Sequence, residues 1–468
     1  MQLTVLGGAG EHGRSSYLLT EEQAHILLDY GVKKEDGGQY PVVENMEQLI
    51  GGLQTVFLSH AHEDHCIGLP ILYRHGYRGE VWTTRATVQQ LPAYFNAWKK
   101  YTDQRHVTRP YDDEDEQLIH YRYLEDVVTP GQWGQLQSGL DICWGRSGHL
   151  PGSIWLALKW KGKSIFFSGD YTSESQMLVA DRPLHQSYKY NEAQVLQTVP
   201  IQTMHSHEQL AYTAISESKY SALTASPILP DLDLAIVDAA YGDDSESQTD
   251  KLHQIKTHID DALQTGGSIL LPVPLYGRGQ ELLLWASEHY SHIPLLVESV
   301  LLEGIQLLTS YRDWLYHDIQ PRIERLLHHA QLYSLYDPEQ TDALYTQHRS
   351  KIIFTPDGML QTSLARRHYE RLQYDPHSTM IFTGHLAKGS PGRQFVATPP
   401  LSGCRIKRIG YKVHQGLPDV EQMLNDLNRP PSVLVHAPKA RTDQLASYLR
   451  QHGYRSIHSL IPTAKLDF

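Results

Sequence analysis

His60, His62, Asp64 and His65 crowd into six residues directly behind a short apolar run, Thr55-Val56-Phe57-Leu58. Buried polar groups each need a partner, so packing alone does not call for this density of imidazole and carboxylate. A turn after a strand can aim all four side chains into one cavity. Nitrogen and carboxylate ligands of this kind suit zinc, and iron or manganese are compatible with them. The competing reading is a solvated His-rich loop.

Further candidates stand at or just after other apolar runs. Asp29 closes Ile26-Leu27-Leu28, His149 lies in Gly148-His149-Leu150-Pro151-Gly152-Ser153, and Asp170 closes Ile165-Phe166-Phe167-Ser168-Gly169. Singly, each reads as a helix cap, a turn residue or a satisfied histidine. In this order, together, they resemble the motif series of the metallo-β-lactamase fold. The resemblance implies that His60, His62 and His149 hold one metal ion, that Asp64 and His65 hold a second, and that Asp170 bridges the two. It also implies that Asp29 orients ligands from behind.

The second half of the chain resembles the β-CASP nucleases, a family that includes ribonuclease J and the cleavage and polyadenylation endonuclease. The acidic motif of that family is matched by Asp238 in Ile236-Val237-Asp238-Ala239-Ala240-Tyr241-Gly242. Its two histidine motifs are matched by His414 after Lys412-Val413 and by His436 after Val433-Leu434-Val435, with His385 as the rival for the first. Three intervening segments are also family-like: Pro274 to Leu283, Thr355 to Ser363, and Thr383 to Arg393. Within them Arg278, Ser363, Lys388 and Arg393 are expected to contact substrate.

At 468 residues the chain is long enough for two or three domains. Up to Asp170, short apolar strands alternate with helical stretches such as Ala86 to Tyr101, the pattern of a layered α/β fold. From Gly267 the pattern becomes strand–helix alternation, which builds an open parallel sheet. The expected architecture is α/β: a metallo-β-lactamase αββα sandwich with an inserted β-CASP α/β domain. Residues 1–247 form the first part of the sandwich, with 185–227 a surface insertion; 248–394 form the β-CASP domain, and 395–468 return to the sandwich, starting with Arg405 to Ile409.

Composition narrows the setting. Hydrophobic residues make up 40% and charged residues 20% of the chain, as in ordinary soluble globular proteins. There is no apolar stretch of about 18 residues to span a membrane. The three cysteines, Cys66, Cys143 and Cys404, argue against a disulfide framework and for a reducing, cytoplasmic setting. A net charge of −12 is unusual for a nucleic-acid enzyme, since phosphate binding normally rests on Lys and Arg. Bound divalent ions offset part of it locally. One stretch, Tyr94 to Tyr111, interleaves Tyr94, Phe95, Trp98 and Tyr101 with Lys99, Lys100, Arg105 and Arg109. Bases can stack on such aromatics while cations hold phosphates, although an amphipathic helix end with solvated lysines reads the same way.

The function this implies is hydrolysis of RNA phosphodiester bonds by a hydroxide activated between two Zn2+ ions, with Mn2+ as an alternative. The metal set is His60, His62, Asp64, His65, His149, Asp170 and His436. The catalytic set is Asp29, Asp64, Asp238 and His414, with His414 as general acid and Asp238 accepting a hydrogen bond from its other nitrogen. In the family, histidine at the last motif accompanies RNA substrates, so His436 points to single-stranded RNA. Ala437-Pro438 stands where ribonuclease J enzymes commonly carry Gly-Glu, which argues against a 5′-phosphate pocket of that type. A homodimer is compatible with the sequence. The alternatives are a noncatalytic β-CASP subunit that binds RNA and assembles, and a small-ester metallo-hydrolase.

Overall fold

The structure, a computed structural model, describes residues 1–186 and 228–468. All but the first two positions of the expected 185–227 insertion lie outside the described residues. The chain divides into two compact units. The first comprises Met1–Ser173, Val179–Ser245 and His414–Phe468; the second comprises Glu174–Leu178 and Glu246–Val413.

Among the described residues, the first unit is built on two seven-stranded sheets. One runs in the order Lys465–Asp467, Gln2–Gly7, Ser16–Glu21, Ala24–Leu28, Leu53–Phe57, Glu80–Thr83, His120–Tyr123. The other runs Ile457–Ser459, Ser432–Val435, Leu234–Asp238, Lys163–Phe167, Ile154–Trp160, Leu140–Arg146, Gly134–Gln137. Side chains alternate between the faces of a strand, and here both faces are buried. On the outer face of the first sheet, Leu27, Val56 and Val81 pack with Leu49, Leu72, Leu91 and Trp98 of the covering helices. On the outer face of the second, Ala157, Phe166, Val237 and Leu434 pack with Leu424, Leu445 and Leu449. The intervening residues, among them Val5, Leu19, Ile26, Leu156, Ile165 and Ile236, are also fully buried and fill the space between the sheets. Tyr17 of one sheet meets Phe167 of the other at 5.6 Å between ring centroids. This is the expected αββα layering.

The second unit is a six-stranded sheet in the order Leu332–Leu335, Leu295–Glu298, Ile352–Pro356, Ile269–Val273, Thr379–Phe382, Arg405–Arg408. Every pairing in it is parallel, as strand–helix alternation requires. Arg405–Arg408 departs from expectation. Instead of returning to the sandwich, it pairs with Thr379–Phe382 as the edge of this sheet, and the chain rejoins the first unit at His414 rather than near 395. The sequence Arg-Ile-Lys-Arg has too little apolar alternation to declare which sheet it joins. That choice rests on backbone hydrogen bonds to a partner strand some 25 residues away.

Candidate metal centre

The site lies in the first unit, at the ends of its strands. Leu53–Phe57 delivers Ser59 and His60, both fully buried, into a turn that presents His62. The short helix Glu63–Cys66 follows and carries Asp64 and His65. This helix packs directly on the end of Ala24–Leu28. Tyr30 N–H donates to the His65 carbonyl at 2.8 Å, and Val32 N–H donates to that of Glu63 at 3.0 Å. The approach is so close that a Cβ on Gly31 would sit 1.8 Å from the Asp64 carbonyl oxygen. Only glycine fits there.

Asp29 occupies the left-handed region at φ 58°, which aspartate tolerates better than most residues. Its wholly buried carboxylate accepts from Ser59 N–H, Ser59 Oγ–H and His65 Nδ1, each at 2.7 Å. With the His65 Nδ1 proton engaged, Nε2 is left as the free nitrogen. It is buried without a hydrogen-bond partner and lies 3.4 Å from Asp170 Oδ1. His149 is set by the turn Ser147–Ser153, which is closed by Ser147 N–H to the Ser153 carbonyl at 2.9 Å. Gly148 takes φ 75° beneath the Thr172 carbonyl, which a Cβ would approach to 2.2 Å.

Asp170 is the centre of the arrangement. Its Oδ2 lies 3.5 Å from His60 Nε2 and 3.5 Å from His149 Nε2. Its Oδ1 lies 3.4 Å from His65 Nε2 and 3.7 Å from His436 Nδ1. The two oxygens of one carboxylate therefore face two different imidazole groups. On the first side, His62 Nδ1 is 3.1 Å from His60 Nε2 and 3.0 Å from His149 Nε2, close to the edge of about 3.3 Å expected between nitrogens of a tetrahedral zinc site. On the second side, His436 Nε2 lies 3.1 Å from Asp64 Oδ2, and its own backbone is held at φ 65° with its N–H on the Gly8 carbonyl.

Asp238 ends Leu234–Asp238 and is fully buried. Its Oδ2 accepts from Tyr171 N–H at 3.1 Å and contacts His414 Nδ1 at 3.0 Å, while Oδ1 accepts from Ala240 N–H at 3.0 Å. His414 is thereby oriented by a carboxylate 176 residues away in sequence, and Tyr241 braces its ring edge-to-face at 5.5 Å.

The electrostatics divide the imidazoles into two kinds. Burial and neighbouring imidazoles keep His60 well below its ordinary range, and burial lowers His62, so both present neutral lone pairs. Burial also acts against charge on His65 and His436, but the Asp170 and Asp64 carboxylates outweigh it. They raise His65 well above the imidazole range and His436 to about 9. Burial would raise Asp64 and Asp170, yet the surrounding imidazoles hold both below the usual carboxylate range. The site is a pocket of fixed anions that attracts positive charge. Three overlapping sets of donors, each with ligand atoms within 4.8 Å of one another, are His60/His62/His149/Asp170, Asp64/His65/His436 and Asp170/Asp238/His414/His436. The orphaned His65 nitrogen, the divided Asp170 carboxylate and the imidazole–carboxylate donor set fit divalent metal ions.

All ten candidates of the metal and catalytic sets are thus brought together. Arg278, Ser363, Lys388 and Arg393 belong to the second unit. There Arg278 opens the helix Arg278–His289, and its guanidinium fills the space that a Cβ on Gly384 would need. Ser363 opens Ser363–Leu372 behind the capping Thr362, and Lys388 and Arg393 are exposed. Sequence reasoning missed Ser59, which ties Asp29 to both His60 and His65; its place directly before His60 was the available signal. It also missed His12, whose ring meets that of His436 edge-to-face at 5.7 Å.

Fold and site together define a metal-dependent hydrolase of the metallo-β-lactamase fold. Family models agree along most of the chain: the metallo-beta-lactamase superfamily over residues 9–200, the Beta-Casp domain over 280–395, and the Zn-dependent metallo-hydrolase RNA specificity domain over 403–462. The protein belongs to the β-CASP family of metallo-β-lactamase hydrolases. It is similar to "Ribonuclease TTHA0252" of Thermus thermophilus, 24% identical over 97% of each chain. It is 22% identical to "Probable RNase MJ4" of Methanocaldococcus jannaschii over 98% of each. A third relative, "Transcription termination factor FttA" of Lokiarchaeum, is 23% identical over 98% of this chain and 70% of that protein. Among solved structures, a protein of unknown function from Enterococcus faecalis V583 shares the fold at a TM-score of 0.53 and 14% identity, with 99% of both chains covered.

Proposed function

We propose that this protein is a metal-dependent ribonuclease that cleaves single-stranded RNA in the cytoplasm, with zinc as its resident metal. The observation that carries this is the Asp170 carboxylate, whose two oxygens face two separate imidazole groups. His60, His62 and His149 would hold one ion, Asp64, His65 and His436 the other, with Asp170 shared. When bound, such a pair supplies Lewis-acid charge for a phosphodiester and activates water as the nucleophile.

The chain's own residues do the rest. Asp29 keeps a proton on His65 Nδ1, so that Nε2 is the nitrogen available to a metal ion once the proton favoured there by Asp170 and Asp64 has left. Ser59 fixes His60 by the same logic from Nδ1, at 3.0 Å. Asp238 engages His414 Nδ1 and leaves Nε2 to deliver a proton to the departing oxygen. Imidazole suits this role because its ordinary titration lies nearest neutral pH. The relatives named ribonucleases and the RNA specificity domain support RNA as substrate. A noncatalytic role is disfavoured by the completeness of the donor set, and the free, buried Cys66, Cys143 and Cys404 suit a reducing compartment. Among the described residues no helix is long and apolar enough to cross a membrane.

The test joins two measurements. Elemental analysis of the purified protein should find close to two zinc ions per chain. End-labelled single-stranded RNA should be cut, with matched DNA cut far more slowly. Protein that holds no transition metal and gains no activity from added zinc or manganese refutes the proposal, and equal rates on RNA and DNA refute its substrate.

A further inference from the structure

A row of aromatic and cationic side chains leads away from the metal centre along the helix Arg85–Gln104. Tyr94 stands at its inner end, with its ring edge-to-face on His62 at 5.6 Å. Residues seven and then four positions on share that face of the helix, and they are Tyr101 and Arg105. From Tyr94 to Arg105 the row extends about 16 Å. Tyr101 has two stacking partners. Buried Trp98 lies at 5.1 Å and 17°, and the Arg105 guanidinium lies 4.0 Å from its ring centroid. The pile is pinned from below by Trp98 Nε1–H to the Tyr40 hydroxyl at 3.2 Å, and by the Tyr101 hydroxyl donating to the Lys34 carbonyl at 2.6 Å.

Charge distinguishes this row from ordinary helix packing. Lys99 and Arg109, at the same end of the helix, are neutralised by Asp113 and Glu116. Lys100 and Arg105 are exposed, and among the described residues no carboxylate pairs with either. Asp103 lies about half a turn round the helix from Tyr101, on the opposite face, and Lys100 lies on the flank between them, about 100° from Tyr101. Core packing accounts for Trp98 but not for the exposed Arg105 guanidinium set against Tyr101, on the helix face that begins at His62.

We propose that this face carries the single strand of the substrate on one side of the bond to be cut. Bases lie against Tyr94 and the outer face of the Arg105–Tyr101 stack, and phosphates lie against Arg105 on the row and Lys100 on the adjoining flank. This rests on the ribonuclease reading and adds to it a path for the strand. Alternating base stacking and phosphate contact is the usual way to hold a single strand without reading its sequence, so the track sets substrate length and not base preference.

The test uses the zinc-loaded full chain and the double variant Lys100→Glu/Arg105→Glu, which changes only exposed side chains. Two substrates are compared: a long single-stranded RNA, and an aryl phosphodiester too short to reach the row. The variant should lose about tenfold or more in kcat/KM on the long RNA. Its salt dependence of RNA binding should flatten by about 1.4 in log–log slope, at about 0.7 per single-strand phosphate contact. Turnover of the aryl ester should not change. Tyr101→Leu, which removes the stacking platform but no charge, should weaken long-RNA binding with the slope retained. An unaltered long-RNA rate and slope in the double variant overturn the proposal alone, as does an equal loss on both substrates. A wild-type enzyme idle on both substrates overturns the ribonuclease reading and the track with it.

Discussion

Replacing Asp29 with asparagine should strip metal from the site without unfolding it. Asparagine tolerates the left-handed backbone found there, φ 58°, as readily as aspartate. Its carbonyl oxygen can keep the 2.7 Å bond from Ser59 N–H. Its amide nitrogen must then face Ser59 Oγ and His65 Nδ1, where the second carboxylate oxygen now accepts from both at 2.7 Å. His65 Nδ1 can only accept from an amide, so the proton moves to Nε2. That is the buried nitrogen otherwise left without a hydrogen-bond partner, and once protonated it cannot bind a cation. A charge-assisted hydrogen bond worth about 1.5–3 kcal/mol is lost. The loss of an outer partner of a metal-binding histidine typically costs about 10–100-fold in affinity, and that range corresponds to about 1.4–2.7 kcal/mol. Competition against a chelator of known affinity should therefore show the weaker ion bound 10–100 times less tightly in Asp29→Asn. Activity should be recovered by saturating zinc or manganese, and the metal-stripped variant should still unfold cooperatively, less stable than the metal-stripped parent by about the 1.5–3 kcal/mol of the lost bond. Wild-type metal affinity in this variant would refute the tautomer reasoning.

Four further outcomes are expected. His414→Ala should slow RNA cleavage by about 10²–10⁴-fold with metal content unchanged, and an activated aryl phosphodiester, which hardly needs the proton, should restore most of the rate; Asp238→Asn should cost less in the same assay. Asp170→Ala should abolish cleavage and lower the occupancy of both ions by elemental analysis, because each of its oxygens serves a different side. Ser247→Ala removes the cap and capping box of the helix Gln248–Gln264, and should lower the stability of the second unit by about 1 kcal/mol in denaturant unfolding, with turnover of a small substrate unchanged. Burial acts to raise Asp233, but Lys163 at 2.8 Å and the Ser164 N–H hold its carboxyl below the usual range; the stability this contributes is present above about pH 4 and is lost as pH falls through the lower folded value, so Asp233→Asn should blunt that part of the acid-unfolding profile.

Much of the site was legible from local chemistry. His60, His62, Asp64 and His65 are close enough in sequence for one turn to bring them together; Asp29, Asp170, Asp238 and His436 each follow an apolar run that reads as a strand, and His149 lies in a glycine- and proline-rich turn. Their order resembles the motif series of the metallo-β-lactamase fold, and that resemblance implied that they share one site. The inserted parallel sheet was legible too, since strand–helix alternation leaves few ways to cover both faces of a sheet. What depended on tertiary structure is every relation that crosses between distant segments. Asp170 could be named from its strand, but the division of its two oxygens between His60/His149 and His65/His436 exists only once two sheets are stacked. His414 was preferred to His385 on its match to the family motif, but its 3.0 Å contact with the Asp238 carboxylate exists only in the folded chain. The edge strand Arg405–Arg408 carried no hydrophobic period of its own and took its place from hydrogen bonds to Thr379–Phe382. Residue type and period are local and travel with the sequence; register, pairing partner and the facing of one carboxylate to two clusters arise from non-local contacts, which come into being only when the chain has closed on itself.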